Sequence, residues 1–250
     1  MSRSYRRSDL EILWGLAFAR CAFPGCPVVC VLEEAERDPQ AVIGKVAHIV
    51  AHSDRGPRAD PSLPRDRRDR YENLILLCPT HHDTVDVQPN TYTVADLRRW
   101  KSEHEVRMRE AVAREMPGVG FAELEVVANA MLAAPSEPSI TFSITNPSQK
   151  MSRNGLTSSI SILITMGLSK AREVGQFVES MALLDPHFPE RLKAGFVGEY
   201  VRLRGNGLEG DALFESLFQF SSQGSSDMKK RATGLAVLTY LFEKCEVFEP

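Results

Sequence analysis

The sequence has no apolar run approaching the ~18 residues of a membrane-spanning helix, so an integral helical membrane protein is excluded. It has no large excess of charge of one sign. The 30 Lys and Arg against 33 Asp and Glu leave a net charge of −3, far from the basic footprint of a protein devoted to coating nucleic acid. It has only five cysteines, an odd number, and Cys21, Cys26, Cys30 and Cys78 all lie near the N-terminus. Such a set, with no export signal, argues against a disulfide framework and for metal binding. There is no internal repeat and no phosphate-binding loop. Gly205, Gly207 and Gly210 do not follow a strand and read as a turn. The opening MSRSYRRSDLEILWGLAF is basic and then apolar. Asp9 and Glu11 interrupt it and no small-residue cleavage site follows, so it reads as a helix and the expected compartment is the cytoplasm.

What is present is an ordinary globular composition, 43% hydrophobic and 25% charged, over 250 residues, a length that suits two domains. Ser8 and Glu11 have the spacing of a capping box, followed by a helix with Leu13, Leu16 and Ala17 on one face. The β-branched stretches 28–32 and 42–50 predict two strands. Residues 53–70 are rich in Pro, Asp and Arg and predict a long loop, a place where function concentrates. A short apolar run, 74–77, precedes a helix over 80–86. Thr93 and Asp96 cap a helix reaching Glu115, and another follows over 121–134. Ala134 to Pro138 reads as a linker, which divides the chain into domains 1–134 and 138–250. The second domain opens with two predicted strands, around Ile140–Ile144 and Ile160–Ile164, and continues as helices to the end.

Three clusters carry chemistry. Cys21-x4-Cys26 and Cys78-x2-His81 are two chelating pairs, and zinc takes four tetrahedral sulfur and nitrogen ligands from such knuckles. Cys30 stands as the alternative to Cys26. His82 and Asp86, four residues apart on the predicted helix, share a face and suit a divalent cation that also holds phosphate oxygens. His48 closes the second predicted strand region, and an imidazole titrating near pH 6.5 can take a proton from water. Asn73 can orient a loop or hold that imidazole. Arg55, Arg58, Arg67 and Arg68 supply a local positive patch for flanking phosphates. His52 is a further candidate, weighed against a polar loop histidine. His104 and His187 lie outside the clusters and read as structural.

His48, Asn73 and His82, framed by the Cys pairs, resemble the HNH or ββα-metal endonucleases. The segment Asn73-Leu-Ile-Leu-Leu-Cys78-x-x-His81-His82 resembles that family's Asn-Leu…Leu-Cys-x-x-Cys-His segment, with His81 in place of the second Cys. The resemblance spans about residues 15–90. It implies an α+β fold: a β-hairpin carrying the base, a helix carrying a metal ligand, a zinc knuckle, and then a mainly helical C-terminal domain. It also implies roles. His48 activates water, His82 binds Mg²⁺ or Mn²⁺, and Asn73 fixes the catalytic loop, with Zn²⁺ as structural ion and DNA as substrate. The chain departs from the family at Ala47, where many members place a metal-binding side chain just before the base.

Residues 138–250 hold no cluster of His, Cys and Asp and no base-reading element. Their ending resembles C-terminal domains of effectors in ABC three-component anti-phage defence systems. That implies a regulatory or assembly domain acting through a protein partner, an activating ligand or self-association. Two other functions compete. A zinc-stabilised nucleic-acid-binding module without catalysis would have no use for His48 and Asn73 at these spacings. A restriction endonuclease with its own sequence recognition would need a base-reading element.

Overall fold

The structure is a computed structural model and describes residues 5–132, 147–244 and 248. The chain divides into two compact units, residues 1–108 and 109–250. The expected linker at 134–138 and the expected strand at Ile140–Ile144 lie outside the described residues. Among those residues no helix is long and apolar enough to cross a membrane.

In the first unit, α1 (Arg7–Leu16) leads into the segment that holds Cys21 and Cys26. Its N-cap is Arg6, without a side-chain cap, and Glu11 pairs with Arg7 at 3.3 Å. The expected capping box therefore does not form, because Ser8 already lies inside the helix. After α1 the chain turns through Phe18 and Ala19, both in the left-handed region at φ 53° and 51°. This is a strained path for residues with a Cβ. The turn delivers Cys21 to the core.

The two expected strands become two small antiparallel pairs. β1 (Val31–Leu32) pairs with β2 (Ala41–Val42), and β3 (Lys45–His48) pairs with β4 (Leu74–Leu77). The run 42–50 breaks at Gly44. A Cβ there would sit 2.6 Å from the Cys30 Cβ and 2.7 Å from the Trp14 ring, so only glycine fits. Ile43 and Gly44 both donate their N–H to the Cys30 carbonyl at 2.9 Å, which bends the chain from one ladder into the next.

β4 is buried along its whole length and packs against α1. Its register with β3 sets Ala47 opposite Ile75 and His48 opposite Leu74. The connection between them holds the short helix α2 (Arg65–Arg68) and a 3-10 turn, Tyr71–Asn73. α3 (Pro79–Val87) follows β4 at once, with Cys78 as N-cap and Pro79 in the first turn, where a missing N–H costs nothing. β3, β4 and α3 make the ββα arrangement that the resemblance implied. α4 (Val94–Glu115) starts at a Thr93–Asp96 cap as expected, with Thr93 Oγ1 donating to Asp96 at 2.7 Å and accepting the Asp96 N–H at 3.2 Å.

In the second unit the described residues form helices: α5 (Phe121–Met131), α6 (Pro147–Arg153), α7 (Ser158–Leu168), α8 (Ala171–Leu184), α9 (Phe188–Gly205), α10 (Gly210–Ser221) and α11 (Met228–Lys244). α11 is the central helix and packs against α5, α7, α8 and α10. The expected strand around Ile160–Ile164 is corrected: it is α7. Its buried residues are Ile160, Leu163, Ile164 and Gly167, which is helical spacing, while Ile162 is exposed. Gly167 lies so close to α11 that a Cβ would meet the Thr239 hydroxyl at 2.5 Å. That close packing of α7 on α11 overrides the β preference of the isoleucines.

Candidate active site

Cys21, Cys26, Cys78 and His81 converge, their ligand atoms all within 4.8 Å of one another. Cys26 is the member of this set, and Cys30 is not. Cys30 lies fully buried beside it, and burial, with Cys78 and Cys26 nearby, pushes its thiol up to about 12, so it stays protonated. The spacing fits a tetrahedral ion. About 2.3 Å to sulfur and about 2.0 Å to nitrogen set the two donors roughly 3.5 Å apart. His81 Nδ1 lies 3.5 Å from Cys21 Sγ and 3.2 Å from Cys78 Sγ. Burial lowers the His81 pKa, which favours the neutral imidazole a metal needs. Burial also raises the Cys21 thiol well above its ordinary value, a cost that a bound cation would reverse. Phe23 stacks on the His81 ring at 3.8 Å, braced edge-on by Tyr92 and Trp100. The Ala22 N–H donates to the Leu76 carbonyl at 2.9 Å, tying the knuckle to β4.

Beside this cluster lies a cleft of about 250 Å³ lined by residues that include His48, His52, Arg58, His82 and Asp86. His48 ends β3 with its side chain largely buried, and Tyr5 stacks on it at 5.6 Å. His48 Nε2 lies 2.8 Å from Asp69 Oδ1, and His52 Nδ1 lies 3.0 Å from the same oxygen. Asn73 is buried. Its Nδ2 donates to the carbonyls of Val50 and Arg68, each at 2.8 Å, and its Oδ1 accepts the Val50 N–H at 2.9 Å. Of the two expected roles, loop orientation is the one these bonds perform.

His82 and Asp86 face the cleft from α3, with His82 Nε2 4.0 Å from Asp86 Oδ2. His82 Nδ1 lies 3.0 Å from Asp83 Oδ1, which also accepts from Lys45 Nζ at 3.0 Å. Lys45 first, and then His82, hold the Asp83 carboxyl below the usual range. With Nδ1 next to Asp83, Nε2 is the His82 nitrogen that could meet a cation.

The four arginines expected at phosphates separate into two kinds. Arg55 and Arg67 are exposed. Arg58 and Arg68 are not placed for that role, their side chains only 2% and 4% accessible. Arg58 adopts φ 57° and donates to the carbonyls of His48, Ile49 and Val85, and to Asp86 at 2.7 Å. Arg68 donates to the carbonyls of His52 and Leu63 and to Asp54. A buried guanidinium satisfied by carbonyls and a carboxylate holds a loop together. His104, also expected to be structural, is buried with Nε2 3.0 Å from the Ala17 carbonyl.

Sequence reasoning missed Asp69, Asp83 and Tyr5. Asp83 sits next to His82 in the chain and offered a signal. Asp69 and Tyr5 reach His48 only through the fold, 21 and 43 residues away along the chain.

With the geometry in place, comparison with known proteins identifies the segment. Residues 21–87 match the family model described as HNH endonuclease. The first unit therefore contains an HNH endonuclease domain, and the matched range holds the Cys–His cluster, His48, Asn73, His82 and Asp86. No curated protein matches the chain.

Proposed function

We propose that this HNH domain is a metal-dependent endonuclease that hydrolyses phosphodiester bonds of DNA. The observation that carries the reading is the convergence of His48, His82 and Asp86 on one cleft, immediately beside a Cys–His cluster that fits zinc.

His48 takes the proton from an attacking water, its ring largely buried and stacked on Tyr5 at 5.6 Å. Asn73 keeps the backbone at Val50 and Arg68 in register, so the segment after the base cannot drift. His82 and Asp86 are the residues that would hold Mg²⁺ or Mn²⁺, which when bound supplies charge neutralisation at the scissile phosphate and the leaving oxygen. Ala47 contributes no side-chain donor here. Arg55 and Arg67, on the exposed connection between β3 and β4, grip flanking phosphates without reading sequence. Cys21, Cys26, Cys78 and His81 hold a structural zinc that anchors α3 to the knuckle.

The second unit regulates or assembles the nuclease. A non-specific nuclease in contact with its own genome needs restraint. The proposed ligands and catalytic side chains all lie in the first unit, and the acidic balance of residues 116–250 disfavours a direct grip on DNA. A defence effector governed by a partner or activating ligand is the biological setting we propose.

The test is cleavage of supercoiled plasmid by the full chain with Mg²⁺ or Mn²⁺, compared with His48→Ala. Wild type should nick and linearise the plasmid, and His48→Ala should lose roughly 10²–10⁴ in rate while keeping zinc. Equal rates would remove His48 as the base. Binding without cleavage by the wild type would put the non-catalytic zinc module in place of the nuclease.

A further inference from the structure

We propose that Asp69 is the positioning residue of His48: through one carboxylate oxygen it grips both His48 and His52 and sets which His48 nitrogen faces the reaction. The inference deepens the nuclease reading and rests on His48 as its base.

A carboxylate accepts hydrogen bonds and does not donate them. The two ring nitrogens that meet Asp69 Oδ1, His48 Nε2 at 2.8 Å and His52 Nδ1 at 3.0 Å, therefore both carry hydrogens. His48 then presents Nδ1 as its basic nitrogen. When His48 gains a proton there, the negative carboxylate is already in contact with the ring and stabilises the imidazolium. His52 shares the same oxygen, and the two rings stand 5.5 Å apart, so Asp69 also sets the spacing of the two cleft histidines.

Asp69 can do this because the chain on both sides of it is tied down. On one side, the Arg68 carbonyl accepts from Asn73 and its guanidinium is bound to His52 and Asp54. On the other, buried Asp9 of α1 accepts from the Tyr71 N–H and from Arg70 Nη1, each at 3.0 Å. The Tyr71 hydroxyl in turn donates to Glu105 at 2.6 Å. A short acidic side chain on a segment pinned at both ends is a preorganised acceptor, which is what orienting a base requires.

The same three side chains form a cluster whose ligand atoms lie close enough to hold a cation. The two arrangements differ in one observable. An ion bound there would leave His48 Nε2 without a proton, whereas the positioning role requires a proton on Nε2 held by Asp69.

The experiment uses the full chain labelled with ¹⁵N-histidine, in zinc and with Mg²⁺ added, its His48 ring signals identified by their loss in His48→Gln. The wild type should show a downfield His48 Nε2–H protected from solvent exchange, with Nδ1 unprotonated. Asp69→Ala should lose that protected proton while keeping zinc and native tryptophan fluorescence. In plasmid cleavage, Asp69→Ala should lower kcat by roughly 10²–10⁴ with KM little changed, as expected when the base is misoriented and binding is untouched. A wild-type His48 with unprotonated Nε2, or with no protected ring proton, overturns the proposal, and this holds even if Asp69→Ala fails to fold. So does an Asp69→Ala variant that cuts at the wild-type kcat. A wild type that cuts nothing removes the nuclease reading alone, because the ring spectrum decides the Asp69–His48 link by itself.

Discussion

Asn73 clasps Val50 from both ends of its amide, accepting the Val50 N–H at 2.9 Å and donating to the Val50 carbonyl at 2.8 Å. The side chain thus acts like one more rung of a ladder, just beyond the point where β3 and β4 stop pairing. It keeps the backbone two residues past His48 fixed, and its third bond reaches the Arg68 carbonyl beside Asp69.

Asn73→Ala leaves these buried groups without their partner. At about 1–3 kcal/mol for each buried polar group left unmade, and with partial relaxation, the first unit should lose on the order of 3 kcal/mol. Both tryptophans, Trp14 and Trp100, lie in that unit, so urea unfolding followed by tryptophan fluorescence reads it directly. An unchanged midpoint would contradict the clasp.

The zinc reading predicts about one zinc per chain by elemental analysis. Cys78→Ser should lose the ion and the native tryptophan fluorescence together, because the ligand set joins the segment after α1 to the start of α3. Cys30→Ser should keep the ion. A stable protein free of zinc would end this reading.

The arginines should separate by measurement as they do by burial. Arg58→Ala removes the guanidinium that donates to Asp86 and to three carbonyls, and should destabilise the first unit by about 3 kcal/mol. Arg55→Ala and Arg67→Ala should leave stability within about 0.5 kcal/mol. Each should weaken DNA binding and flatten its salt dependence by about one unit of slope. Urea midpoints and binding titrations at several salt concentrations check both halves.

His104 gives a pH dependence. Burial lowers its folded pKa below the unfolded value near 6.5, so below that pH the unfolded chain takes up a proton that the folded chain resists. The stability of the first unit should be full above about pH 6.5 and fall as the pH drops through it toward the depressed folded value. Comparing His104→Gln with wild type, both saturated with zinc, isolates the effect. Identical slopes below pH 6.5 would exclude it.

Restraint by the second unit predicts that residues 1–115, ending with α4, cut plasmid faster or prove more toxic on expression than the full chain. Tryptophan fluorescence verifies that the fragment is folded. A full chain as active as the folded fragment, and monomeric by light scattering, would remove the regulatory role.

The Cys–His cluster was legible in the sequence because chelating spacings are local: Cys21-x4-Cys26 and Cys78-x2-His81 each bring two donors together whatever surrounds them, and the fold sets all four ligand atoms within 4.8 Å of one another. His82 and Asp86 were legible because helical spacing alone sets them on one face. The ββα order came from the resemblance of the Asn73–His82 segment to the HNH endonucleases; the pattern alone marked 42–50 as a strand and 74–77 only as a short apolar run before a helix. Tertiary structure decided the rest. Whether Cys26 or Cys30 joined the cluster depended on the bend at Gly44, where Cys30 is drawn under the backbone by two N–H donors. Arg58 reads as a phosphate ligand by charge, yet the fold turns it inward to meet the His48, Ile49 and Val85 carbonyls. Asp69 has no motif to mark it, because its partners, His48 and His52, are brought to it by the closure of a long connection. The isoleucines of α7 alternate like a strand, but packing against α11 selected the helix. Local chemistry carries its own signature in the sequence; a contact between distant residues acquires meaning only when the chain has closed around it.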